Sequence, residues 1–154
     1  MSANRLLISL LGILILTCQP LKALSPEGKP RVIVLTDIEN EPDDAESLVR
    51  FLTYSNQFDM EGIIATTSFW QKDKTAEWRI HEILEAYKEV QPNLLKHEAG
   101  YPSYEELMAL TKVGIPEYGM QGVGEGKDSE GSNWIIEALK KDDNRPLWGL
   151  AWGG

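Results

Sequence analysis

An acidic stretch follows the first predicted strand and offers oxygen ligands to a metal ion. Five carboxylates fall within eight consecutive positions: Asp37, Glu39, Glu41, Asp43 and Asp44. Carboxylates this close repel one another unless a cation lies among them, and oxygen ligands suit a hard cation such as calcium. Asp43 and Asp44 could equally cap the helix that follows. The residue types alone therefore leave a metal site and a helix cap as alternatives.

The position of this acidic stretch in the predicted fold favours the metal site. Arg31 to Thr36 is a continuous apolar run, as expected for a strand covered on both faces. An amphipathic helix follows to about Asn56, and Met60 to Thr67 reads as the next strand. Two strands joined by one helix run parallel, and open parallel sheets bind ligands at the carboxyl ends of their strands. The acidic loop lies at such an end.

The rest of the chain predicts an α/β domain with a mainly parallel sheet and flanking helices. Hydrophobic spacing and turn residues predict these elements: a helix over 75–90 that Pro92 ends or restarts, a helix over 104–110 capped by Ser103, a surface loop over 119–131, a helix over 132–140 and a third strand over 146–152. Trp148 and Trp152 are assigned to the core around the last strand. Trp70 follows a strand end and is instead a candidate for stacking on a sugar ring.

The amino terminus has the pattern of an export signal. Arg5 precedes an apolar run from Leu6 to Leu16, which is about half the length that spans a bilayer. We expect residues 1–23 to be a signal peptide and 24–30 to be a linker, so the protein is predicted to be secreted or periplasmic. Cys18 could carry a lipid in a bacterial lipoprotein, but Thr17 before it is not the usual small residue. We therefore favour a signal peptide that is cleaved near Ala23 and leaves no lipid on the protein.

The net charge of the chain limits the classes of partner that it is expected to bind. The chain of 154 residues carries a formal charge of −9 at neutral pH. Such a surface disfavours nucleic acid and anionic membranes as partners, and accepts a metal ion or a neutral or cationic ligand more readily.

Beyond these patterns, the chain resembles the amino-terminal part of nucleoside hydrolases. The resemblance rests on Thr36-Asp37 with Asp43-Asp44 at a strand-to-helix turn, where that family places an aspartate, a second aspartate and an Asp-Asp pair. Three further segments match family elements: EGIIATTS (61–68), SEGSNWIIEAL (129–139) and PLWGLAWGG (146–154). The segment DIENEPDD (37–44) is similar to the corresponding segment in a branch of secreted bacterial proteins. Those proteins are described as cellulose-binding, and each begins with a nucleoside hydrolase-like domain.

The resemblance implies roles for three aspartates. Asp37 would bind calcium and act as the base that activates water, Asp44 would be a second calcium ligand, and Asp43 would hold sugar hydroxyls. The ligand would be a small sugar or nucleoside, or a polysaccharide. The last calcium carboxylate and the group that assists the leaving group come from later in such proteins. The chain stops directly after its last predicted strand, so we expect 31–154 to be part of a longer domain with little activity alone.

Other positions depart from the family pattern. Glu39 stands where the second aspartate is usual and is a candidate metal ligand, while the neighbouring Asn40 has no clear counterpart and is a candidate sugar ligand. Ser68 is a loose substitute for the asparagine that follows the second strand, and joins Trp70 as a candidate substrate contact. These departures leave three functions open: a calcium-dependent glycosidic-bond hydrolase, a secreted carbohydrate-binding module and a pseudoenzyme with the same fold.

Overall fold

A computed structural model describes residues 28–153, and the predicted signal peptide with Cys18 lies outside them. Four parallel strands form one sheet in the order β3-β2-β1-β4. The strands are β1 (Arg31–Thr36), β2 (Asp59–Ala65), β3 (Thr111–Val113) and β4 (Leu147–Ala151). The helices are α1 (Pro42–Leu52), α2 (Glu77–His97), α3 (Tyr104–Leu110) and α4 (Glu130–Lys140), with short 3₁₀ turns at Ser55–Gln57 and Gly119–Gly122. The predicted α/β class with a parallel sheet is confirmed.

Helices cover both faces of the sheet. On one face α1, α2 and α3 pack against β2 through a core of buried side chains: Leu48, Leu52, Ile63, Ala65, Ile80, Leu84, Tyr87 and Leu107. On the other face Ala138 of α4 packs with Ile33 and Ile64. Burial on both sides explains why β1 is apolar throughout its length.

A buried ion pair holds the amino-terminal edge of the sheet. Arg31 begins β1 and is only 2% exposed, and its Nε lies 2.8 Å from a carboxylate oxygen of Glu61 in β2. The same guanidinium donates to the Ala138 carbonyl at 2.7 Å, and Lys141 also contacts Glu61. These contacts tie α4 to the two central strands at the edge opposite the acidic loop.

Two sequence-based helix boundaries were wrong. The N-cap residue of the first helix is Glu41 rather than Asp43 or Asp44, because Pro42 occupies its first turn, where the missing N–H costs nothing. Asp44 takes part in the cap only as the third helical residue, whose side chain completes the capping box. Pro92 does not end the long helix, which continues to His97. Pro92 faces solvent, where water can satisfy the freed carbonyl, and Leu94 beyond it still packs on the core.

The prediction of three strands was also wrong, because β3 was missed. It has only three residues and begins directly where α3 ends, with no turn residue between them. Trp148 does not lie in the core either: it is 57% exposed on β4, the last strand of the sheet in residues 28–153. Trp152 does pack against the core, as predicted.

Candidate active site at the carboxyl edge of the sheet

Asp37 lies at the centre of the sheet's carboxyl edge. It follows β1, which is flanked by β2 and β4, and it is only 2% exposed. The backbone of Gly153, just after β4, lies directly against the Asp37 carboxylate, so that a β-carbon at position 153 would overlap it. Trp152 donates its N–H to the Leu35 carbonyl at 2.8 Å, which fixes this approach of the two chain segments. Only glycine fits beside Asp37 here.

Asp43 and Asp44 open α1 close to Asp37. A carboxylate oxygen of Asp44 accepts a hydrogen bond from the Glu41 amide at 3.0 Å, which completes a capping box. Burial raises the pKa of Asp44 above its ordinary value, and the negative charges of Asp37 and Asp43 raise it further against the lowering effect of the Glu41 amide. The three carboxylates predicted to form the site therefore interact electrostatically, which favours a bound cation.

Glu39 points away from this cluster. Its backbone has a φ of 75°, an uncommon left-handed conformation for a residue other than glycine. Its carboxylate lies 2.5 Å from Nε of Arg79 in α2, and Arg79 also bonds Glu82 at 2.9 Å. This pairing with Arg79 argues against a metal-binding role for Glu39. The role of Glu39 as a metal ligand stays a prediction. Asn40 is half-buried next to it and donates its backbone N–H to the Asp37 carbonyl at 3.0 Å.

Ser68 and Trp70 belong to a tight turn after β2. The Ser68 hydroxyl accepts hydrogen bonds from the backbone amides of Trp70 and Gln71 at 3.2 and 3.1 Å. The hydroxyl is thus engaged in shaping the turn, although Ser68 was predicted to contact substrate. Trp70 projects outward and is 74% exposed, as a stacking residue would need to be.

Gln71 connects this turn to the acidic loop and was not singled out from the sequence. Its side-chain amide donates to the carbonyls of Asp37 and Ile38 at 3.2 and 3.3 Å. Gln71 is buried, and its Oε1, like the hydroxyl of Thr36, has no hydrogen-bond partner within residues 28–153. The one available signal was a polar residue a few positions beyond a strand end. Buried polar atoms usually have a hydrogen-bond partner, so two oxygens without one make this region a candidate ligand site.

The oxygen atoms at this edge are of the type that calcium prefers. Asp37 and Asp44 would supply two carboxylates and Gln71 an amide oxygen, whereas calcium takes about six to eight oxygen ligands in proteins. Among residues 28–153, no three His, Cys, Asp or Glu side chains converge on a common point. The donor set therefore fits calcium in kind, with backbone or water oxygens needed to complete it.

An open cavity lies beside the acidic cluster. It has a volume of about 490 Å³ and is lined by Asp43, Asp44, Ser47, Arg50, Phe51, Tyr54, Phe58 and Trp152. The Phe51 ring stacks on Phe58 at 5.2 Å and meets the edge of Trp152 at 5.3 Å. Carboxylates next to aromatic rings can bind the hydroxyls and the apolar face of one sugar together.

Within the described residues, no helix is long and apolar enough to cross a bilayer.

The fold is that of a nucleoside hydrolase-like α/β protein. Residues 31–154 match the family described as cellulose-binding Sde182, nucleoside hydrolase-like domain, and the chain belongs to that family. This confirms the resemblance seen in the sequence. No curated protein sequence matches the chain significantly.

A solved structure supports the same conclusion. It is described as a nucleoside hydrolase-related hypothetical protein from Saccharophagus degradans that is associated with carbohydrate metabolism. It is 48% identical to this chain and superposes with a TM-score of 0.80. The match covers 82% of this chain and 31% of that one, so the chain spans about a third of the length of this relative.

Proposed function

We propose that this chain supplies the calcium- and sugar-binding edge of a secreted hydrolase that cleaves glycosidic bonds. The observation that carries the proposal is the buried Asp37 carboxylate at the centre of the sheet's carboxyl edge, close enough to Asp44 to raise its pKa. Membership of a nucleoside hydrolase-like family supports the reaction class, and its cellulose-binding description supports a carbohydrate ligand outside the cell.

The side chains present suit hydrolysis by an activated water. Bound calcium would lower the pKa of a water molecule at the site. Asp37 would hold the attacking water and accept its proton, while the water oxygen bonds to the anomeric carbon and the bond to the leaving group breaks. Asp43 accepts hydrogen bonds from sugar hydroxyls. The carboxylates also stabilise the positive charge that develops on the sugar ring. The acid that protonates the leaving group is expected outside residues 31–154.

A carbohydrate-binding module is the second candidate. The exposed Trp70 ring favours it, because a large aromatic face in solvent is suited to stacking on sugars. In that case calcium would be structural and no bond would be cleaved.

One substitution separates the two functions. We expect calorimetry to detect calcium uptake by a longer protein that contains this chain, and Asp37→Asn to abolish it. In a longer protein containing this chain, the same substitution should abolish turnover of nucleosides or aryl glycosides. Asp142→Asn, an exposed carboxylate after α4 near the opposite edge, is the matched control and should change neither. A correctly folded protein that takes up no calcium would overturn the proposal, and calcium uptake without turnover would favour the binding module.

A further inference from the structure

Glu39 in the acidic loop has a backbone conformation that suits glycine. Among residues 28–153 it is the one residue other than glycine with a positive φ, which is 75°. A β-carbon makes this left-handed conformation unfavourable, and side chains adopt it where neighbouring contacts hold them there. Some contact of Glu39 must therefore offset the cost of this conformation.

The conformation of Glu39 shapes a turn that begins at Asp37. The Asn40 N–H donates to the Asp37 carbonyl at 3.0 Å, so residues 37–40 form a β-turn with Glu39 at its third position. A positive φ at this position alone is the geometry of a type II turn, in which glycine is usual. Ile38, the second residue, is fully buried in the core and fixes one side of the turn. The path of the chain from Asp37 to α1 therefore depends on Glu39.

Arg79 holds the Glu39 side chain from α2. Its Nε lies 2.5 Å from a Glu39 carboxylate oxygen, and this nitrogen is shielded from water. The guanidinium also donates to Glu82 at 2.9 Å and lies 5.7 Å from the centre of the Trp78 ring. Ile80, the next residue, is fully buried and fixes this turn of the helix. The guanidinium is thus oriented by its own helix, which lowers the entropic cost of pairing with Glu39.

The pairing separates Glu39 from the other carboxylates of the loop. In the part of the chain that the structure describes, Glu39 is the one carboxylate among the five between Asp37 and Asp44 that forms an ion pair. Its charge is balanced by Arg79, whereas Asp37 and Asp44 interact with each other and raise the pKa of Asp44. The loop thus contains one carboxylate that anchors it to α2 and others that remain available to a cation.

We propose that the Glu39–Arg79 pair is a positioning contact of the candidate calcium loop, which holds the turn over residues 37–40 in its left-handed form. This inference rests on the proposed function and deepens it by assigning both residues a role outside the metal shell. Asp37 is the first residue of the turn, and α1, which carries Asp44, begins soon after it. If the turn relaxed, the two aspartates would shift relative to each other. Calcium would then have to restore their arrangement, which lowers its apparent affinity.

The first test measures calcium affinity by calorimetry in a longer protein that contains residues 31–154. Glu39→Ala and Glu39→Gly both remove the carboxylate, but only glycine accepts a positive φ without strain. We expect Glu39→Ala to weaken calcium binding by about fivefold to tenfold. Glu39→Gly should stay within about twofold of wild type. Arg79→Gln should match Glu39→Ala, and should have no further effect in the Glu39→Gly background.

Lys72→Gln is the control for the loss of one positive charge. Lys72 is adjacent to Gln71 in the turn after β2, and its ammonium lies 4.7 Å from the centre of the Phe69 ring. Removing a cation without moving the loop should leave calcium affinity unchanged or raise it slightly, because less positive charge repels the ion. Arg79→Gln is expected to change calcium affinity in the opposite direction. Circular dichroism should give the same spectrum for all variants.

The second test needs no calcium. Hydrogen exchange of the Asn40 amide reports opening of the turn, because this amide donates to the Asp37 carbonyl. Arg79→Gln should speed this exchange by about threefold to fivefold, the effect of losing one partly exposed ion pair. The amide of Ile63, a fully buried residue of β2, should exchange at the wild-type rate.

Three outcomes would overturn the positioning role. Equal losses of calcium affinity in Glu39→Ala and Glu39→Gly would place Glu39 in the metal shell instead. Calcium affinity that is unchanged or raised in Arg79→Gln would show that the pair does not position the loop. Calcium uptake by the wild type with unchanged Asn40 exchange in Arg79→Gln would reject the positioning role alone. A wild type that takes up no calcium, although Arg79→Gln opens the turn, would reject the proposed function.

Discussion

The backbone of Gly153 packs directly against the carboxylate of Asp37. The contact joins the residue after β4 to the residue after β1, and a β-carbon at position 153 would occupy the space of the Asp37 side chain. The position of the proposed catalytic base thus depends on a glycine more than a hundred residues away in the sequence.

Substituting Gly153 should displace Asp37. Gly153→Ala is expected to lower the free energy of unfolding by about 1–3 kcal/mol, the usual effect of overpacking a tight site. Calcium affinity, measured by calorimetry, should fall as well because the carboxylate has to move. Gly149→Ala is the control, since a β-carbon there meets no atom within 4 Å. Calcium affinity that is equal in both variants would show that the close contact does not position Asp37.

Asp44 should give the protein a measurable pH dependence. Its pKa is raised in the folded state, mainly by burial and also by Asp37 and Asp43, from an ordinary value of 3.8. The folded protein therefore binds this proton more readily than the unfolded chain, so the stabilising contribution is complete below pH 3.8 and is lost as pH rises through the raised pKa. Other carboxylates titrate too, and Glu106, with its lowered pKa, contributes in the opposite sense.

The Asp44 contribution is isolated by comparing wild type with Asp44→Asn in urea denaturation at a series of pH values. The asparagine oxygen can still accept the Glu41 amide, so the helix cap survives. Without calcium, Asp44→Asn should gain stability relative to wild type as pH rises above 4. With calcium in excess, the order should reverse, because the ion stabilises only the protein that keeps this carboxylate. A difference that stays constant across pH would contradict the electrostatic coupling of the three aspartates.

Breaking the buried ion pair should cost more than any surface pair. Arg31→Met leaves the Glu61 carboxylate buried with Lys141 as its remaining cation, and should reduce the free energy of unfolding by about 3–5 kcal/mol. Lys140→Ala is the control, because its pair with Glu137 is exposed and is worth at most about 1 kcal/mol. Chemical denaturation measures both. The pair adds little to the free energy of unfolding if Arg31→Met lowers it only slightly and adding Glu61→Gln to that variant causes no further change.

Local sequence signals predicted the elements that have strong signals of their own. Arg31 to Thr36 was read correctly because burial on both faces leaves a continuous apolar run, and α3 because Ser103 with Glu106 forms a capping box at its start. These local signals failed where tertiary contacts determine whether a segment forms a strand or where a helix ends. The strand at Thr111–Val113 is defined by its pairing with β2, and α2 passes Pro92 because Leu94 still reaches the core.

The candidate site shows the same contrast between residues that local sequence signals reveal and residues whose role depends on tertiary contacts. Clustered carboxylates made Asp37, Asp43 and Asp44 the predicted site residues, since charge density is visible without a structure. The roles of Gly153 and Gln71 were not visible, because each depends on a contact with Asp37 across the sheet edge. Glu39 looked equivalent to its neighbours until its contact with Arg79 was known.

The hydrogen bonds of Gln71 also determine how this protein could be re-engineered. Because this amide joins the Trp70 turn to the backbone of Asp37, exchanging the whole turn would disturb the proposed base along with the proposed ligand surface. A library aimed at new ligands should randomise positions 69 and 70 while keeping Ser68 and Gln71 constant. Ligand selectivity could then evolve while the proposed reaction centre stays intact.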